Sequence, residues 1–243
     1  NENKIELIPN GIPKNYLKVR DKNKFRKKYN IKNNEIMVLC LSRIHKSKGF
    51  DQVINIAKYF PNVKFFISGI DGGYESYLKN LSKDLKNIIF TGQVSDEEKL
   101  EIMSASDIFI HPSHYEAFGI VVLEAMTQKN AIITSDKGGL PWVIGNTGLT
   151  FEDNNLDDLK NKLQRLVEDK KLRGSEINEK EYLGEITTEQ EKEAVKEEEK
   201  AEEFPDLNLN IDVFVKTATC EGELAELVIC ENEALFVPCK SHA

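Results

Sequence analysis

Two cations in one short segment could bind an anionic group. Arg43 and Lys48 bracket the turn in SRIHKSKGF, between a strand that ends at Leu41 and a helix that starts near Gly49. A guanidinium and an ammonium beside a helix N-terminus form a binding site for a phosphate or a diphosphate. Taken alone, the simpler interpretation is that both side chains are ordinary surface cations on a loop.

Two glutamates lie in a second segment, HPSHYEAFGIVVLEAM. Glu116 falls in a loop, and Glu124 falls about one and a half turns into the helix that begins near Gly119, where a ligand can approach the backbone closely. Carboxylates repel a phosphate, but a sugar nucleotide offers its hydroxyls to acids and its phosphates to cations. The alternative for Glu124 is an exposed helix residue. Its apolar neighbours instead indicate a carboxylate that needs a partner.

Glycines mark a third segment, SDKGGLPWVI. Gly138 and Gly139 follow a predicted strand, and their amides could bind an anion, although loop flexibility is the simpler interpretation. No G-x-G-x-x-G motif follows the first predicted strand, and no ordered set for hydride transfer is present. The sequence therefore argues against an NAD-dependent dehydrogenase.

Regular elements must position these segments, and about the first 170 residues alternate between two patterns. Short apolar runs predict strands that are buried on both faces, and amphipathic runs predict helices between them. This alternation predicts an α/β fold: a Rossmann-like, doubly wound parallel sheet with helices on both faces. Ser95 and Glu98 predict a capping box. The predicted strands are 35–41, 63–68, 87–91, 107–111 and 131–134, and the predicted helices are 50–60, 74–81, 96–105, 120–128 and 156–168.

Ligands of such sheets bind at the carboxyl ends of the strands. The segments that follow the predicted strands are therefore the expected site, and Gly, Ser, His and charged residues cluster in them. These segments are 43–49, 69–73, 92–94, 112–119 and 135–139.

The net charge of −8 is unevenly distributed. Residues 176–203 carry about −8 and residues 204–243 about −5, which leaves about +5 on the preceding part. A mildly basic domain suits a small phosphate-bearing ligand. It lacks the dense Lys/Arg patches with interleaved aromatics of a nucleic-acid binder, so no nucleic-acid partner is predicted.

Three regions follow from these patterns. Residues 1–174 form the α/β domain, residues 175–204 form an acidic linker or solvated helix, and residues 205–243 form a small β-rich segment with two or three strands. The last region has no functional interpretation. It is a fusion, a recombined reading frame or an artificial junction at Gly174–Ser175, or else an ordinary extension of the domain.

Four cysteines bear on redox state and metals. Cys40 lies in an apolar strand, which predicts a buried free thiol. Cys220, Cys230 and Cys239 have spacings that match no zinc pattern, so no metal site is predicted. With no long apolar run and no signal-peptide pattern, the sequence predicts a cytoplasmic protein without a transmembrane segment.

An ordered set of motifs resembles a known family. The set comprises Asn10–Gly11, Arg43 with Lys48–Gly49, Ser68 to Gly72, Phe90 to Val94, Pro112–Ser113 with Glu116, Phe118–Gly119 and Glu124, and Gly138–Gly139 with Pro141. In this order and spacing, over about residues 5 to 170, it resembles the C-terminal domain of retaining GT-B glycosyltransferases of family 4, the glycosyl transferases group 1.

The resemblance implies roles for individual residues. Arg43 and Lys48 would hold the donor diphosphate and neutralise it as it leaves, and Glu116 would contact hydroxyls of the transferred sugar. Glu124 would bind the ribose. The other expected donor contacts are Phe118, Gly119 and Ile120 at the helix N-terminus, Gly92 and Val94 near the base, and Gly69.

The resemblance also implies a function for the whole site. The domain would bind a nucleotide-diphospho-sugar, with no cofactor, for retaining and metal-independent transfer to a glycan, lipid or small-molecule acceptor. The family binds its acceptor on a separate N-terminal domain, which we expect this chain to lack and which could lie at a membrane surface. Two departures from the family are Ser42, where Gly is frequent, and Trp142, where Glu is frequent. The alternative is a non-catalytic fusion or interaction module whose acidic C-terminal segment binds a partner.

Overall fold

A computed structural model describes residues 10–173 and three strands between residues 214 and 237. Residues 10–173 alternate between strands and helices, as the apolar runs predict. The elements are α1 (Lys22–Lys28), β1 (Ile36–Leu41), α2 (Phe50–Ala57), β2 (Val63–Ser68), α3 (Glu75–Leu81), β3 (Ile88–Gly92), α4 (Asp96–Ala105), β4 (Ile108–His111), α5 (Ile120–Thr127), β5 (Ala131–Ser135), α6 (Leu140–Ile144), β6 (Leu149–Phe151), α7 (Leu156–Glu168) and α8 (Lys170–Arg173).

Strands β1 to β6 form one parallel sheet in the order β3-β2-β1-β4-β5-β6. This confirms the predicted doubly wound α/β fold. The strand order reverses between β1 and β4, so the carboxyl ends of these two strands border the crevice where such sheets bind ligands. The loops after β1 and β4 carry the predicted cations and the first predicted glutamate.

The sheet is buried on both faces, which explains why its strands are apolar throughout. Val38 and Cys40 belong to a cluster that includes Val53 of α2 and Leu159 of α7. Leu39 alternates with them and is also fully buried, so it faces the opposite layer. Helices therefore cover both faces. Burial raises the pKa of the Cys40 thiol, and Cys40 is a buried free cysteine as predicted.

The predicted elements agree with the structure except at some ends. Helices 96–105 and 156–168 and strand 63–68 have the predicted bounds. The capping box is confirmed, because Ser95 Oγ accepts from Glu98 N at 3.3 Å and Glu98 Oε2 accepts from Ser95 N at 3.0 Å. Four short elements were not predicted: α1, α6, β6 and α8. Strand β6 has only three residues and, among the strands that the structure describes, pairs only with β5.

Helix α1 was missed because KNKFRKK contains a single apolar residue. An ion pair between Arg26 and Asp107 anchors it. Arg26 is 4% exposed, and its guanidinium lies 2.6 Å from Asp107 Oδ2 and 2.9 Å from Ala105 O. The same Asp107 oxygen accepts from Met37 N at 2.8 Å, so α1 fixes the starts of β1 and β4 together.

The three C-terminal strands form a separate antiparallel sheet. They are β7 (Phe214–Cys220), β8 (Glu223–Cys230) and β9 (Glu233–Val237), in the order β7-β8-β9. The two or three strands that the sequence pattern predicts within residues 205–243 are therefore confirmed as three. The predicted acidic linker at 175–204 lies outside the described residues, and the three domain boundaries stay predictions. Within the described residues, no helix combines the length and apolar character needed to cross a membrane.

Candidate functional site

The loop between β1 and α2 brings Lys48 to the crevice. His45 caps a single 3-10 turn, Lys46–Lys48, by accepting a backbone hydrogen bond at Nδ1 (3.2 Å). Gly49 follows with φ of 64°, and a Cβ at this position would lie 2.1 Å from the backbone oxygen of Pro112. Only glycine therefore allows the chain to enter α2 this close to the loop after β4.

Hydrogen bonds to backbone oxygens tie these two loops together. Ser47 O accepts from His114 N at 2.9 Å and from Ser113 Oγ at 3.2 Å. From the first turn of α2, Gln52 Nε2 donates to Pro112 O at 3.0 Å. We call residues 42–49 and 112–119 the paired loops, because these bonds fix their backbones relative to each other.

Glu116 lies at the centre of the paired loops. Lys48 Nζ donates to Glu116 Oε2 at 2.6 Å, and His111 Nε2 lies 3.1 Å from the same oxygen. The hydrogen bond from His111, reinforced by Lys48, lowers the pKa of Glu116 to about 2, so Glu116 is an anion. Burial lowers the pKa of His111, so its ring is neutral and donates from Nε2–H.

The structure thus brings together two predicted residues, Lys48 and Glu116, and adds a third. His111 ends β4 and its side chain is 2% exposed. Sequence reasoning missed it as a site residue, because a histidine at the end of an apolar strand resembles an ordinary core residue. The available signal was its place directly before the Pro-Ser turn.

Arg43 is exposed at the start of the first loop. Its aliphatic part packs against Gly72, where an added Cβ would lie 3.0 Å from Arg43 Cγ. Within residues 10–173 the guanidinium forms no ion pair, so its charge is available to a ligand.

Helix α5 begins at the same edge of the sheet. Its N-cap is Gly119, with φ of 95°, which has no side chain to cap the helix. The amides of Gly119 and Ile120 precede the first hydrogen bond of the helix, from Val122 N to Gly119 O at 2.8 Å. Phe118 lies beside this end with its ring 5.7 Å from that of Trp142. The predicted residues Phe118, Gly119 and Ile120 therefore lie at a helix N-terminus that no side chain caps.

Glu124 is buried on α5 and pairs with Lys99 of α4. Lys99 Nζ lies 2.6 Å from Glu124 Oε1, and the two side chains are 16% and 8% exposed. Burial raises the pKa of Glu124, against the opposing effect of Lys99. The expectation that this carboxylate needs a partner is confirmed, whereas the alternative of an exposed helix residue is wrong. Contact with a ribose stays a prediction.

The predicted glycines lie at the ends of β2 and β3. Gly69 is buried with φ of 139°, and its amide donates to Gly92 O at 2.9 Å. A Cβ on Gly69 would lie 1.8 Å from Ser42 O, so Gly69 allows β2 to end against the first paired loop. Gly92 has φ of 73° and open space around it, and the nearby Val94 is half-buried.

The paired glycines after β5 have a different role from the one expected. The amide of Gly139 donates to Glu116 O at 2.8 Å, and a Cβ on Gly138 would lie 2.0 Å from the same oxygen. The amide of Gly139 is therefore not available to an anion. The anion-binding interpretation is therefore corrected for Gly139, whose amide fixes the backbone of Glu116, and for Gly138 it stays a prediction.

A cleft of about 670 Å³ lies between α2 and the loop after β6. It borders Asp153, which accepts from Gln52 Nε2 at 3.0 Å and pairs with His114 at 2.8 Å. None of the residues predicted to bind a donor lines this cleft. We therefore place the candidate site at the paired loops and the N-terminus of α5.

Comparison with known proteins decides the family. The sequence profile described as Glycosyl transferases group 1 matches residues 21–182, which include every element from α1 to α8. The chain belongs to this family. The activity of the glycosyl transferases group 1 is the transfer of a sugar, and the resemblance noted in the sequence is confirmed.

Curated relatives match the α/β domain of this family member. A GDP-mannose-dependent monoacylated alpha-(1-6)-phosphatidylinositol monomannoside mannosyltransferase of Corynebacterium glutamicum is 30% identical over 181 residues, covering 68% of this chain and 46% of that protein. A sulfoquinovosyl transferase of Arabidopsis thaliana is 29% identical over 142 residues, covering 56% of this chain and 28% of its own length. The chain thus spans about half of these relatives or less.

Solved structures share the fold. The C-terminal domain of a glycosyl transferase group 1 family protein (LpcC) of Francisella tularensis superposes with a TM-score of 0.59 at 26% identity, covering 67% of this chain and 91% of that domain. Anabaena HepE in complex with UDP-glucose superposes with a TM-score of 0.62 at 25% identity, covering 69% and 49%. The α/β domain therefore has the fold of a GT-B C-terminal domain.

Proposed function

We propose that the α/β domain binds a nucleotide-diphospho-sugar as the donor for glycosyl transfer. One observation carries this proposal: the topological switch point gathers Lys48, Glu116, the available charge of Arg43 and the open N-terminus of α5. Anions bind at such helix ends, and carboxylates accept from sugar hydroxyls. The complex of HepE with UDP-glucose and the name of the GDP-mannose-dependent relative support UDP and GDP sugars as donors.

Each side chain then has a role in this proposal. Arg43, Lys48 and the first amides of α5 hold the diphosphate and stabilise the charge that develops as it leaves. These positive groups supply the charge that a metal ion would otherwise supply, so the transfer is metal-independent. Glu116 accepts from the hydroxyls of the sugar, and Glu124 accepts from the ribose with the oxygen that Lys99 does not occupy. Phe118, Gly92, Val94 and Gly69 border the donor.

The acceptor is the second half of the proposal. The matched part of this chain spans less than half of these curated relatives, so an N-terminal domain would bind a glycan, lipid or small-molecule acceptor and complete the cleft. Transfer with retention of configuration is proposed from the motif order. The reaction would occur in the cytoplasm, with the N-terminal domain as the part that contacts a membrane.

Arg43→Met should weaken the binding of UDP or GDP, because a charge-assisted contact with the diphosphate is lost. The expected loss of affinity is about tenfold to a hundredfold, measured by calorimetry. Methionine retains the aliphatic part that packs against Gly72. Lys46→Met is the matched control, since Lys46 is an exposed cation of the same loop and its loss should leave affinity within about twofold. Equal losses in both variants, or no binding to the folded wild-type protein, would contradict the proposal.

Removal of divalent cations should not change donor binding. We expect the same affinity for UDP-glucose or GDP-mannose in EDTA as in Mg²⁺, because Arg43, Lys48 and the helix N-terminus neutralise the diphosphate. The measurement is a pair of calorimetric titrations on one sample. A loss of affinity in EDTA that Mg²⁺ or Mn²⁺ restores would show that the donor binds as a metal complex.

A further inference from the structure

The two oxygens of the Glu116 carboxylate have different surroundings. Both hydrogen-bond donors, Lys48 Nζ and His111 Nε2, lie on Oε2. Oε1 accepts no hydrogen bond from any residue in 10–173. The backbone of Glu116 is fixed separately by the amide of Gly139. One oxygen is thus held by the protein, and the other remains open to a ligand.

A bound ligand would affect the two donors to Oε2 differently. Lys48 is a flexible ammonium, 22% exposed, beside the proposed diphosphate, so a bound phosphate competes with Glu116 for its charge. His111 is buried, its ring is stacked 6.3 Å from that of Phe109 at 7°, and it is out of reach of a ligand. The charged groups that face it are Glu116 and Lys48. Its hydrogen bond therefore persists when Lys48 is drawn to a phosphate.

A carboxylate that is half-buried needs such a permanent donor. Without His111, Glu116 would have no hydrogen-bond donor left once Lys48 turns to the diphosphate. It would then rotate or take up a proton. Either change would remove the acceptor that a sugar hydroxyl requires.

We propose that His111 is a positioning residue, which holds Glu116 by Oε2 so that Oε1 faces a hydroxyl of the donor sugar. His111 does not touch the donor. The inference rests on the proposed donor site and deepens it: recognition of the sugar, as distinct from the nucleotide, depends on a buried neutral imidazole. Binding of the nucleoside diphosphate alone does not depend on it.

The test compares His111→Phe with His111→Gln. Phenylalanine retains a ring but has no donor, whereas glutamine places an N–H group at about the same reach as Nε2. The ratio of affinities for UDP-glucose and UDP, or for GDP-mannose and GDP, measures the contribution of the sugar. We expect His111→Phe to reduce this ratio about tenfold and to leave the affinity for the free diphosphate within about twofold. Glutamine should restore most of the ratio.

A second measurement needs no ligand. In the Phe variant, NMR titration of the Glu116 side chain should show a higher pKa than in the wild type, because the hydrogen bond that His111 donates to the ionised carboxylate is gone. If the Phe variant does not fold, His111→Asn replaces it, since this amide is too short to reach Oε2. An unchanged sugar ratio and an unchanged Glu116 titration would overturn the role of His111. A wild-type protein that binds no nucleotide would overturn the proposed function, and the positioning role with it.

Discussion

Gly69→Ala is expected to unfold the α/β domain or to lower its free energy of unfolding by about 3 kcal/mol or more. An added Cβ would lie 1.8 Å from Ser42 O, and a φ of 139° is a conformation that essentially only glycine adopts. The carbonyl cannot move away easily, because Ser42 N also donates to Ser68 O at 3.2 Å. Urea unfolding followed by circular dichroism and by the fluorescence of Trp142, the single tryptophan, measures the change.

Gly92→Ala is the matched control for this prediction. Gly92 lies at the end of the neighbouring strand and also has a positive φ, 73°, but nothing lies within 4 Å of an added Cβ. Gly92→Ala should therefore lower the free energy of unfolding only by the cost of the backbone conformation, about 1 kcal/mol. Equal costs at both positions would show that Ser42 O yields and that the close approach is not required.

Glu124→Ala is expected to cost about 3 kcal/mol of stability, because the largely buried ammonium of Lys99 loses its close partner and keeps only a 3.5 Å contact with the exposed carboxylate of Asp96. The double variant Lys99→Met/Glu124→Met removes both charges and retains apolar volume. It should recover most of the loss, as measured by urea unfolding. If the double variant loses as much stability as the single variants Lys99→Met and Glu124→Met together, the two side chains are not a coupled pair.

The same double variant separates structure from donor binding at Glu124. Once stability is restored, any remaining effect on nucleotide affinity belongs to the carboxylate itself. We expect UDP or GDP to bind about tenfold more weakly to it, because the ribose loses a charged acceptor. Full affinity for UDP or GDP in the stable double variant would show that Glu124 only stabilises the fold through Lys99 and does not bind the ribose.

The fold could be predicted because its signals are local. Strands buried on both faces must be apolar throughout, and amphipathic helices repeat their apolar residues, so β1 to β5, α2 to α5 and α7 are visible in the sequence. The short β6 and the polar α1 lack these signals. Helix α1 depends on the contact of Arg26 with Asp107, which lie far apart in the chain. Its local signal was Asp21, whose side chain accepts from Asn23 N at 2.9 Å.

The candidate site could be predicted only in part. Spacing within a motif identifies Lys48 and Glu116 as chemical groups, but it does not say that they contact each other. That contact and the pair of Glu124 with Lys99 depend on how the loops and α4 and α5 are placed, which is set by tertiary packing. The glycines after β5 could also be interpreted only in part. Their sequence indicates that another group lies close to their backbone, but only the structure shows that this group is the backbone of Glu116.

The hydrogen bonds between the paired loops also constrain how this site can diverge among homologues. Because Ser47 O accepts from residues 113 and 114, adding or deleting one residue in either loop would displace Lys48 and Glu116 together. Loop length is therefore fixed here, and substrate preference must change by exchange of side chains. At Gly92, by contrast, nothing lies within 4 Å of an added Cβ, so we expect a longer chain there to meet no such penalty. Insertions that alter donor choice should accumulate there, which makes this loop the natural place to graft a new specificity.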